Sequence, residues 1–325
     1  MAKYVRCLMK MSLYIVQAEW YNGAMKRIYL FGSLNADLTI RAPYLPKAGE
    51  TLTGSDFMLT AGGKGANQAY AAANLGGRVH MAGCVGEDPF GDMLLTSLQK
   101  AGADVSHVRR TARGTGVAVI LLSDGDNRIV LDRGANGEAE GADVDALLAS
   151  AEAGDIFMTQ LETPFEVVRY ALKTARARGL FTVFNPAPAV REAQELVPLA
   201  DLITPNETEL AILTGEERVE EGCRKLLAMG AGAVLATCGA HGSLYCGQDG
   251  IMPVACVHVG KAVDTTAAGD TFCGALAVRL AEGAGIAEAA KFASLCAGVS
   301  VTRRGAQISM PSRREVDEIA VSLHE

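Results

Sequence analysis

The segment of this chain best suited to chemistry is DTTAAGDTF at residues 264–272. Three residues with little or no side chain, Ala267, Ala268 and Gly269, lead into a predicted helix, and Asp270 follows them. Amides at a helix N-terminus bind anions, and a neighbouring carboxylate can accept the proton of an alcohol. The segment therefore indicates phosphoryl transfer to a hydroxyl with Asp270 as the base. An ordinary helix start with an acidic first turn also fits it.

A glycine-rich segment, AGGKGANQ at residues 61–68, is the second candidate. Its glycines allow a backbone to approach a ligand closely, and Lys64 and Asn67 supply hydrogen-bond donors. It is not a Walker A loop, because Gly65 follows Lys64 where a Ser or Thr would stand and the upstream glycine is absent. The alternative is a glycine-rich turn that enters a helix.

Polar peptides follow four predicted strands and would meet at one edge of a parallel sheet, where ligands bind in doubly wound folds. They are Glu162-Thr163-Pro164, Asn185–Pro188, Asn206–Glu209 and Thr237–Gly242. Asn206 and Glu209 could hold a divalent cation through water, although their spacing favours a capping box, and both can be true. The glycines of 237–242 suit a nucleotide or a plain turn equally, and His241 alone indicates a loop residue rather than a catalyst.

The elements that must position these residues fall into two groups. Four segments with strand patterns predict a small antiparallel sheet that covers a cleft, with a hairpin signal at residues 123–126. These segments are Asp37–Arg41, Thr51–Thr60, Val117–Leu122 and Asn127–Asp132. From about residue 140 strands alternate with helices, which is the βαβ signature. We therefore predict an α/β fold with a doubly wound, mostly parallel sheet, helices on both faces and a small antiparallel β lid.

The strands expected in the parallel sheet are Ile28–Gly32, Ile156–Gln160, Phe181–Asn185, Leu202–Pro205 and Ala233–Thr237. The expected helices are Gly65–Leu75, Pro164–Arg178, Glu207–Leu213, Glu220–Met229, Ala268–Ala281, Ile286–Val301 and Arg313–Leu323.

Composition excludes several classes of protein. The chain has 325 residues, 49% of them hydrophobic, and a net charge of −7 without a basic block, so nucleic acid is not an expected partner. Its eight cysteines form no CxxC pair and its five histidines form no HExxH, so zinc is not expected. Scattered single cysteines are typical of buried thiols in a reducing compartment, which predicts a cytoplasmic protein.

The first 24 residues place Lys3, Arg6 and Lys10 before a short apolar run, Met11–Val16. The run is too short to span a membrane and makes a poor signal peptide. We expect residues 1–24 to be a non-essential extension and residues 25–325 to form the working domain, with the lid at about 37–61 and 113–135. No membrane partner is expected.

Six segments together resemble the ribokinase branch of the PfkB sugar-kinase family, from about Arg27 to the C-terminus, over nine-tenths of the chain. They occur in the family's order and are Gly32–Asp37, Gly62–Gln68, Asn185–Ala189, Thr204–Glu209, Asp264–Phe272 and Arg303–Gln307. Each is weak alone, and their common order is what carries the resemblance. Residues 1–24 match nothing in the family.

The resemblance implies a role for each matching position. The sugar would be bound by Asn35, Ala36, Asp37, Gly63, Lys64, Gly65, Ala66, Asn67, Glu162 and Asp270. The nucleotide would be bound by Asn206, Thr237, Cys238, Gly239, Ala240, His241, Gly242, Gly269 and Ser294. Ala267, Ala268 and Gly269 would form the anion hole, with Asp270 as the base.

The resemblance also implies two cations and a second subunit. Mg²⁺ would accompany ATP and be held through water by Asn206 and Glu209. K⁺ would lie behind the anion hole as an activator. Its ligands would be the side chains of Asp264 and Ser309 with backbone oxygens of Thr266, Ser300, Arg303 and Gly305. The lid would pair with the lid of a second copy in a homodimer.

The expected activity is ATP-dependent phosphorylation of a sugar hydroxyl, with D-ribose converted to D-ribose 5-phosphate. The alternative is a kinase of the same fold for deoxyribose, a nucleoside or a keto-sugar. A sugar-binding regulator without catalysis is disfavoured by the intact Asp270 and anion hole. A dinucleotide-dependent oxidoreductase is disfavoured because no GxGxxG follows the first strand.

Overall fold

The computed structural model of the chain describes residues 25–123 and 126–323. The strands are β1 (Arg27–Phe31), β2 (Asn35–Arg41), β3 (Ser55–Gly62), β4 (Arg78–Gly86), β5 (Asp104–Thr111), β6 (Gly116–Ser123), β7 (Asp126–Asp132), β8 (Ile156–Thr159), β9 (Phe181–Phe184), β10 (Leu202–Ile203), β11 (Val234–Thr237), β12 (Ser243–Gly247) and β13 (Gly250–Val254). The helices are α1 (Lys64–Asn74), α2 (Pro89–Ala101), α3 (Gly141–Leu148), α4 (Phe165–Ala177), α5 (Glu207–Thr214), α6 (Val219–Ala228), α7 (Ala268–Ala281), α8 (Ile286–Ser300) and α9 (Arg313–Ser322).

Nine strands form one sheet in the order β13-β12-β11-β10-β9-β8-β1-β4-β5. All pairings from β11 to β5 are parallel, and β12 and β13 extend the sheet antiparallel at one edge. The chain builds outward from β1 through β4 to β5 and then returns to β8 on the other side of β1. The strand order therefore reverses between β1 and β8, and the crevice at the carboxyl ends of these two strands is where a ligand binds in such folds.

Both faces of the large sheet are covered. Ile28 and Leu30 of β1 belong to a core shared with α1, α2, α7 and α8, whereas Tyr29 and Phe31 point into a second core shared with α3 to α6. Each of these four side chains is fully buried. The continuous apolar run of β1 follows from this, because a parallel strand between two helical layers has no solvent face. The predicted doubly wound fold is confirmed.

A second sheet of four strands, in the order β3-β2-β6-β7, forms the lid. The outer pairs, β2 with β3 and β6 with β7, are antiparallel as expected, but the central pair of β2 and β6 is parallel. The reason is that β2 and β6 both run outward from the body of the protein, while β3 and β7 return to it. The expectation of four antiparallel segments is therefore wrong for the central pair. Residues 124 and 125 of the predicted hairpin lie outside the described residues.

The βαβ pattern starts earlier than the sequence indicated. The run β1-α1-β4-α2-β5 is already a parallel unit, although no strand was predicted at β4 or β5. β4 contains two glycines, and β5 is an edge strand with polar side chains at most positions, so neither shows a long apolar run. Within residues 25–123 and 126–323 no helix has the length and apolar character needed to cross a membrane. The extension predicted at 1–24 lies outside the described residues.

Candidate active site

The crevice at the carboxyl ends of the large sheet contains a cavity of about 210 Å³. It lies at the carboxyl ends of β9, β10 and β11, between the start of α1 and the start of α7. Its lining consists of Lys64, Asn185, Ala187, Thr204, Asn206, Glu209, Thr237, Thr265, Ala267, Ala268, Gly269, Asp270 and Cys273. Residues predicted from separate sequence segments therefore surround a single cavity.

The start of α7 presents free amides to this cavity. Ala267 is the N-cap and has a left-handed backbone, with φ 56° and ψ 16°. Such a conformation costs a residue with a Cβ about 1–3 kcal/mol, and it is kept where the surroundings impose it. The amide of Ala268 donates to Thr265 O at 3.2 Å, and the first bond of the helix runs from Thr271 N to Ala267 O. The amides of Gly269 and Asp270 have no helical partner and can receive an anion.

Asp270 is buried beside these amides, with 7% of its surface exposed. Its Oδ2 accepts a hydrogen bond from Asn67 Nδ2 at 3.1 Å, and its Oδ1 accepts one from Gln68 Nε2 at 3.1 Å. Burial raises the pKa of Asp270, while the charge of Lys64 and the two amides act against that rise. A pKa moved toward neutrality suits a general base that must take a proton from an alcohol.

A chain of amides fixes the orientation of Gln68. Its Oε1 accepts from Gln160 Nε2 at 2.7 Å, and its Nε2 also donates to Asn185 Oδ1 at 3.0 Å. Asn185 in turn donates to Thr204 O at 2.8 Å. With its oxygen committed to Gln160, Gln68 must present its NH₂ group to Asp270. The sequence analysis gave no role to Gln68 or Gln160. The only signal for a role was their position, close to the start of a predicted helix and at the end of a predicted strand.

A second amide contact reaches Asn67. Gln307 Nε2 donates to Asn67 Oδ1 at 3.3 Å, and Gln307 Oε1 accepts from Ser97 Oγ at 2.6 Å. The C-terminal loop and α2 therefore hold Asn67 with its NH₂ group toward Asp270. Ser97 was not identified from the sequence, because α2 was not predicted.

Glu162 closes the other side of the crevice, directly after β8. Its Oε2 accepts from Ser33 Oγ at 2.5 Å, from the Lys64 amide at 3.1 Å and from Asn35 Nδ2 at 3.4 Å. One carboxylate oxygen therefore joins the end of β1 to the start of α1. This contact brings together three of the residues predicted to bind a sugar.

Asp37 and Lys64 supply further ionisable groups on the side predicted to bind the sugar. No described residue donates a hydrogen bond to the Asp37 carboxylate, which lies over Gly62, where an added Cβ would be 2.1 Å from Oδ2. Burial raises the pKa of Asp37 to about 7, and the charges of Glu162 and Asp270 contribute. Burial lowers the pKa of Lys64, but Asp270, Glu162 and Glu209 outweigh it, so that the pKa is raised and the amine stays charged.

Glycine is required where the loop at 61–68 passes β1. Gly63 has φ 87°, and a Cβ there would be 2.7 Å from Asn35 N. A Cβ on Gly65 would be 2.6 Å from the carbonyl carbon of Gly32. Ala36 and Ala66 are fully buried beside them. The close backbone approach expected from the glycine pattern is present.

The predicted nucleotide side lies beyond Asp270. Asn206 and Glu209 form the predicted capping box, with Glu209 N to Asn206 Oδ1 and Asn206 N to Glu209 Oε2 both at 2.8 Å. Burial raises the pKa of Glu209, partly offset by its bond to the Asn206 amide and by Lys64. Thr237 is bridged to Asn206 as a short parallel pair.

The remaining predicted nucleotide residues differ in their surroundings. Gly242 has φ 89°, and a Cβ there would be 2.2 Å from Val254 O. Gly239, Ala240 and His241 are exposed, and Cys238 is half-buried. Ser294 is buried, and its hydroxyl donates to Ala255 O at 3.2 Å and accepts from Val257 N at 3.1 Å. Its hydroxyl therefore fastens the loop at 255–257.

The residues predicted to hold K⁺ lie on segments that meet. Asp264 Oδ2 accepts from Gly305 N at 2.9 Å, and its Oδ1 accepts from Thr266 N at 2.9 Å. Ser300 O accepts from Arg303 N at 3.1 Å. Ser309 is fully buried, and its hydroxyl donates to Ala306 O at 2.8 Å. The donor set is a carboxylate, a hydroxyl and backbone carbonyls, all oxygen, which fits a hard monovalent cation.

Asp270 can take a proton from a hydroxyl while the start of α7 receives a phosphate, so the fold and site together define a kinase. The polar groups opposite Asp270 are typical of a site for a small acceptor rich in hydroxyls. The chain belongs to the pfkB family of carbohydrate kinases, since the model of the "pfkB family carbohydrate kinase" matches residues 25–313.

Similar proteins agree with this family. A ribokinase of Schizosaccharomyces pombe is 39% identical over 309 residues, which cover 90% of this chain and 97% of that protein. A deoxyribokinase of Salmonella typhimurium is 35% identical over 92% of this chain and 99% of its own length. The solved structure of an Arabidopsis thaliana ribokinase complexed with ribose and ATP has a TM-score of 0.82 at 31% identity, covering 91% of this chain and 99% of that one.

Proposed function

We propose that the protein transfers the terminal phosphate of ATP to the primary hydroxyl of D-ribose, giving D-ribose 5-phosphate and ADP. The observation that carries the proposal is the position of Asp270, a buried carboxylate next to the free amides of α7 and across the crevice from a polar cluster. That cluster comprises Asn35, Asp37, Lys64 and Glu162. The resemblance to ribokinases over nine-tenths of the chain supports ribose as the sugar.

In the proposed reaction Asp270 accepts the proton of the sugar hydroxyl as its oxygen attacks the terminal phosphorus. The bond to the bridging oxygen breaks, and ADP leaves. The amides of Gly269 and Asp270 hold the charge that develops on the phosphoryl oxygens. Asn67 and Gln68 keep the Asp270 carboxylate aimed at the hydroxyl, so that the proton acceptor is oriented before the sugar arrives.

Mg²⁺ would be held through water by Asn206 and Glu209, which present oxygen atoms at the edge of the cavity, as this hard cation requires. When bound with ATP it would offset the charge of the phosphates. K⁺ would bind among the oxygens around Asp264 and Gly305, next to the loop that leads to Ala267. There it would hold the left-handed turn before α7, and we expect higher activity in K⁺ than in Na⁺.

Recognition of ribose rests on hydrogen bonds in a desolvated crevice. Asp37 offers two acceptor oxygens, and Lys64 offers donors. Asn35 is 3% exposed, and its oxygen accepts from Asn136, so that its NH₂ group, which also donates to Glu162, is on the sugar side. A site that bonds a hydroxyl penalises the analogue lacking it, because its own groups remain unpaired.

An ATP-consumption assay with ribose, 2-deoxyribose, fructose and adenosine, each with and without K⁺, tests the proposal. Ribose should exceed 2-deoxyribose by at least about tenfold in kcat/KM. Asn35→Met, which removes the amide at similar length, should narrow that ratio. Equal use of both sugars, or preference for another acceptor, would exclude ribose specificity. If Asn35→Met lowers the stability but leaves the ratio of kcat/KM for the two sugars unchanged, Asn35 has only a structural role.

Deoxyribose is the second candidate, and the similarity to a deoxyribokinase favours it. The same assay separates the two, because a deoxyribokinase should not lose activity when the 2-hydroxyl is absent. A nucleoside or keto-sugar as acceptor would appear as activity with adenosine or fructose.

We also propose a homodimer through the lid. Its outer strands expose large apolar side chains, among them Phe57 at 62% and Val130 at 70%. Apolar side chains clustered on one small sheet are typical of a surface that another chain covers. Light scattering after chromatography should give twice the chain mass, and Val130→Asp should reduce the measured mass to that of the monomer.

We also propose a cytoplasmic location. The free thiols of the described cysteines support it, because such thiols are typical of a reducing compartment.

A further inference from the structure

Two histidines and an aspartate meet at the far edge of the large sheet. His80 belongs to β4, and Asp104 and His107 belong to the edge strand β5. One ligand atom from each residue can be chosen so that all three lie within 4.8 Å of one another, and His80 Nδ1 is 3.0 Å from Asp104 Oδ2. The cluster lies near the amino ends of these strands, away from the crevice at their carboxyl ends. The proposed kinase reaction gives it no role.

A bulge in β5 creates the cluster. His80 is paired with Asp104, but the next pair is Ala82 with His107, so two residues of β5 lie opposite Met81. In a regular strand, Ser106 would take the place opposite Ala82 and His107 would point to the other face. The extra residue turns the His107 side chain to the face that carries His80 and Asp104. Two strands and one bulge therefore bring together residues that no single sequence motif contains.

The surroundings hold two of the three side chains in place. The ring of His80 stacks on Tyr29, with centroids 5.0 Å apart. Asp104 Oδ1 accepts from Ser106 N at 2.9 Å, which leaves Oδ2 directed at His80. A metal ion would find these two ligands already oriented.

We propose that His80, Asp104 and His107 bind a divalent ion of the Zn²⁺ type. Two imidazole nitrogens and one carboxylate oxygen match the preference of Zn²⁺, with water as a fourth ligand. Ligands about 2.1 Å from a tetrahedral ion are roughly 3.4 Å apart, so small side-chain rotations close the site. Mg²⁺ prefers oxygen ligands in an octahedron and does not compete here. The ion ties the edge strand β5 to β4.

Calorimetry on the full-length, chelator-treated protein tests the site, with ZnCl₂ titrated in the presence of excess MgCl₂. We expect one ion per chain with a micromolar Kd and a rise in Tm that MgCl₂ does not produce. His107→Ala and Asp104→Asn should each weaken binding at least about tenfold and remove the rise in Tm. His258→Ala is the matched control, because His258 is exposed and lies outside the cluster, and it should bind as the unmodified protein does.

Partly exposed thiols such as Cys238 and Cys256 are the competing ligands, and Co²⁺ distinguishes them. Nitrogen and oxygen ligands give visible absorption without the strong near-ultraviolet band of a cobalt thiolate. The proposal is overturned if that thiolate band appears and His107→Ala leaves it unchanged. It is also overturned if no ion binds at micromolar concentration, or if His107→Ala and His258→Ala bind with equal affinity. In those cases His80 and Asp104 form an ordinary hydrogen-bonded pair.

Discussion

Asn136 Nδ2 donates a hydrogen bond of 2.8 Å to Asn35 Oδ1. Asn136 also bonds both backbone groups of Leu34, accepting from its amide and donating to its carbonyl, each at 2.9 Å. It lies in the segment that leads from the lid strand β7 back to the body. One buried amide therefore fixes the turn between β1 and β2 and decides which end of the Asn35 side chain faces the crevice.

Asn136→Ala should raise the KM for ribose about tenfold, because Asn35 can then rotate and its NH₂ group is no longer directed at the sugar. The lost bonds should also lower stability by about 1–3 kcal/mol. Steady-state kinetics and thermal unfolding measure the two effects. Ala135→Gly, at the adjacent buried position, controls for a loosened segment. If both variants raise KM equally, orientation of Asn35 is not the cause.

Asp270→Asn should lower kcat by about a thousandfold while ribose still binds. The substitution keeps the size of the side chain and removes the proton acceptor. Turnover and ribose affinity by calorimetry are the measurements. A variant that retains a tenth of the normal kcat would show that another group takes the proton.

Gly269→Ala should affect stability and catalysis differently. No atom within 4 Å would meet a Cβ at Gly269, so the free protein can accept the methyl group, and alanine favours a helix by about 1 kcal/mol. A phosphate held at the α7 amides would be crowded by it. We expect unchanged or higher Tm and kcat/KM reduced at least about tenfold, a size typical of a displaced phosphate contact. Gly285→Ala, at the N-cap of α8, has similar free space and should leave activity unchanged.

Sugar binding should depend on pH through Asp37, whose pKa is raised to about 7 mainly by burial. Sugar hydroxyls donate to the charged carboxylate, so binding should strengthen as pH rises from 6 to 8. The folded pKa lies above the unfolded one, so the native state holds the proton longer. The contribution of Asp37 to the stability of the sugar-free protein therefore falls as pH rises from 3.8 to about 7 and levels off above that. Asp37→Asn should bind more weakly and lose this dependence, and a parallel slope in both proteins would contradict the assignment.

The sequence predicted which residues come together in the crevice better than it predicted the hydrogen bonds between them. Asp270, Lys64, Glu162 and Asn206, which the structure brings to one crevice, were candidates because each follows a strand end or opens a helix, and the family resemblance gave each a predicted role. Gln160 and Asn136 were missed, because an amide that orients another amide acts through a contact distant in sequence. In the fold, β5 escaped prediction because an edge strand lacks an apolar run. The parallel pairing of β2 with β6 arises because both strands run away from the large sheet. The pattern of polar and apolar residues within each strand does not show this direction.

That parallel pairing has a consequence for how the protein folds. It joins Asn35 to Gly116, two residues separated in sequence by β3, α1, β4, α2 and β5. Bringing together strands so far apart in sequence has an entropy cost, and it is offset only by contacts that form later. We expect the large sheet to form first and the lid last. Sugar, which we propose binds residues of β2 and α1, should then slow unfolding much more than it speeds refolding.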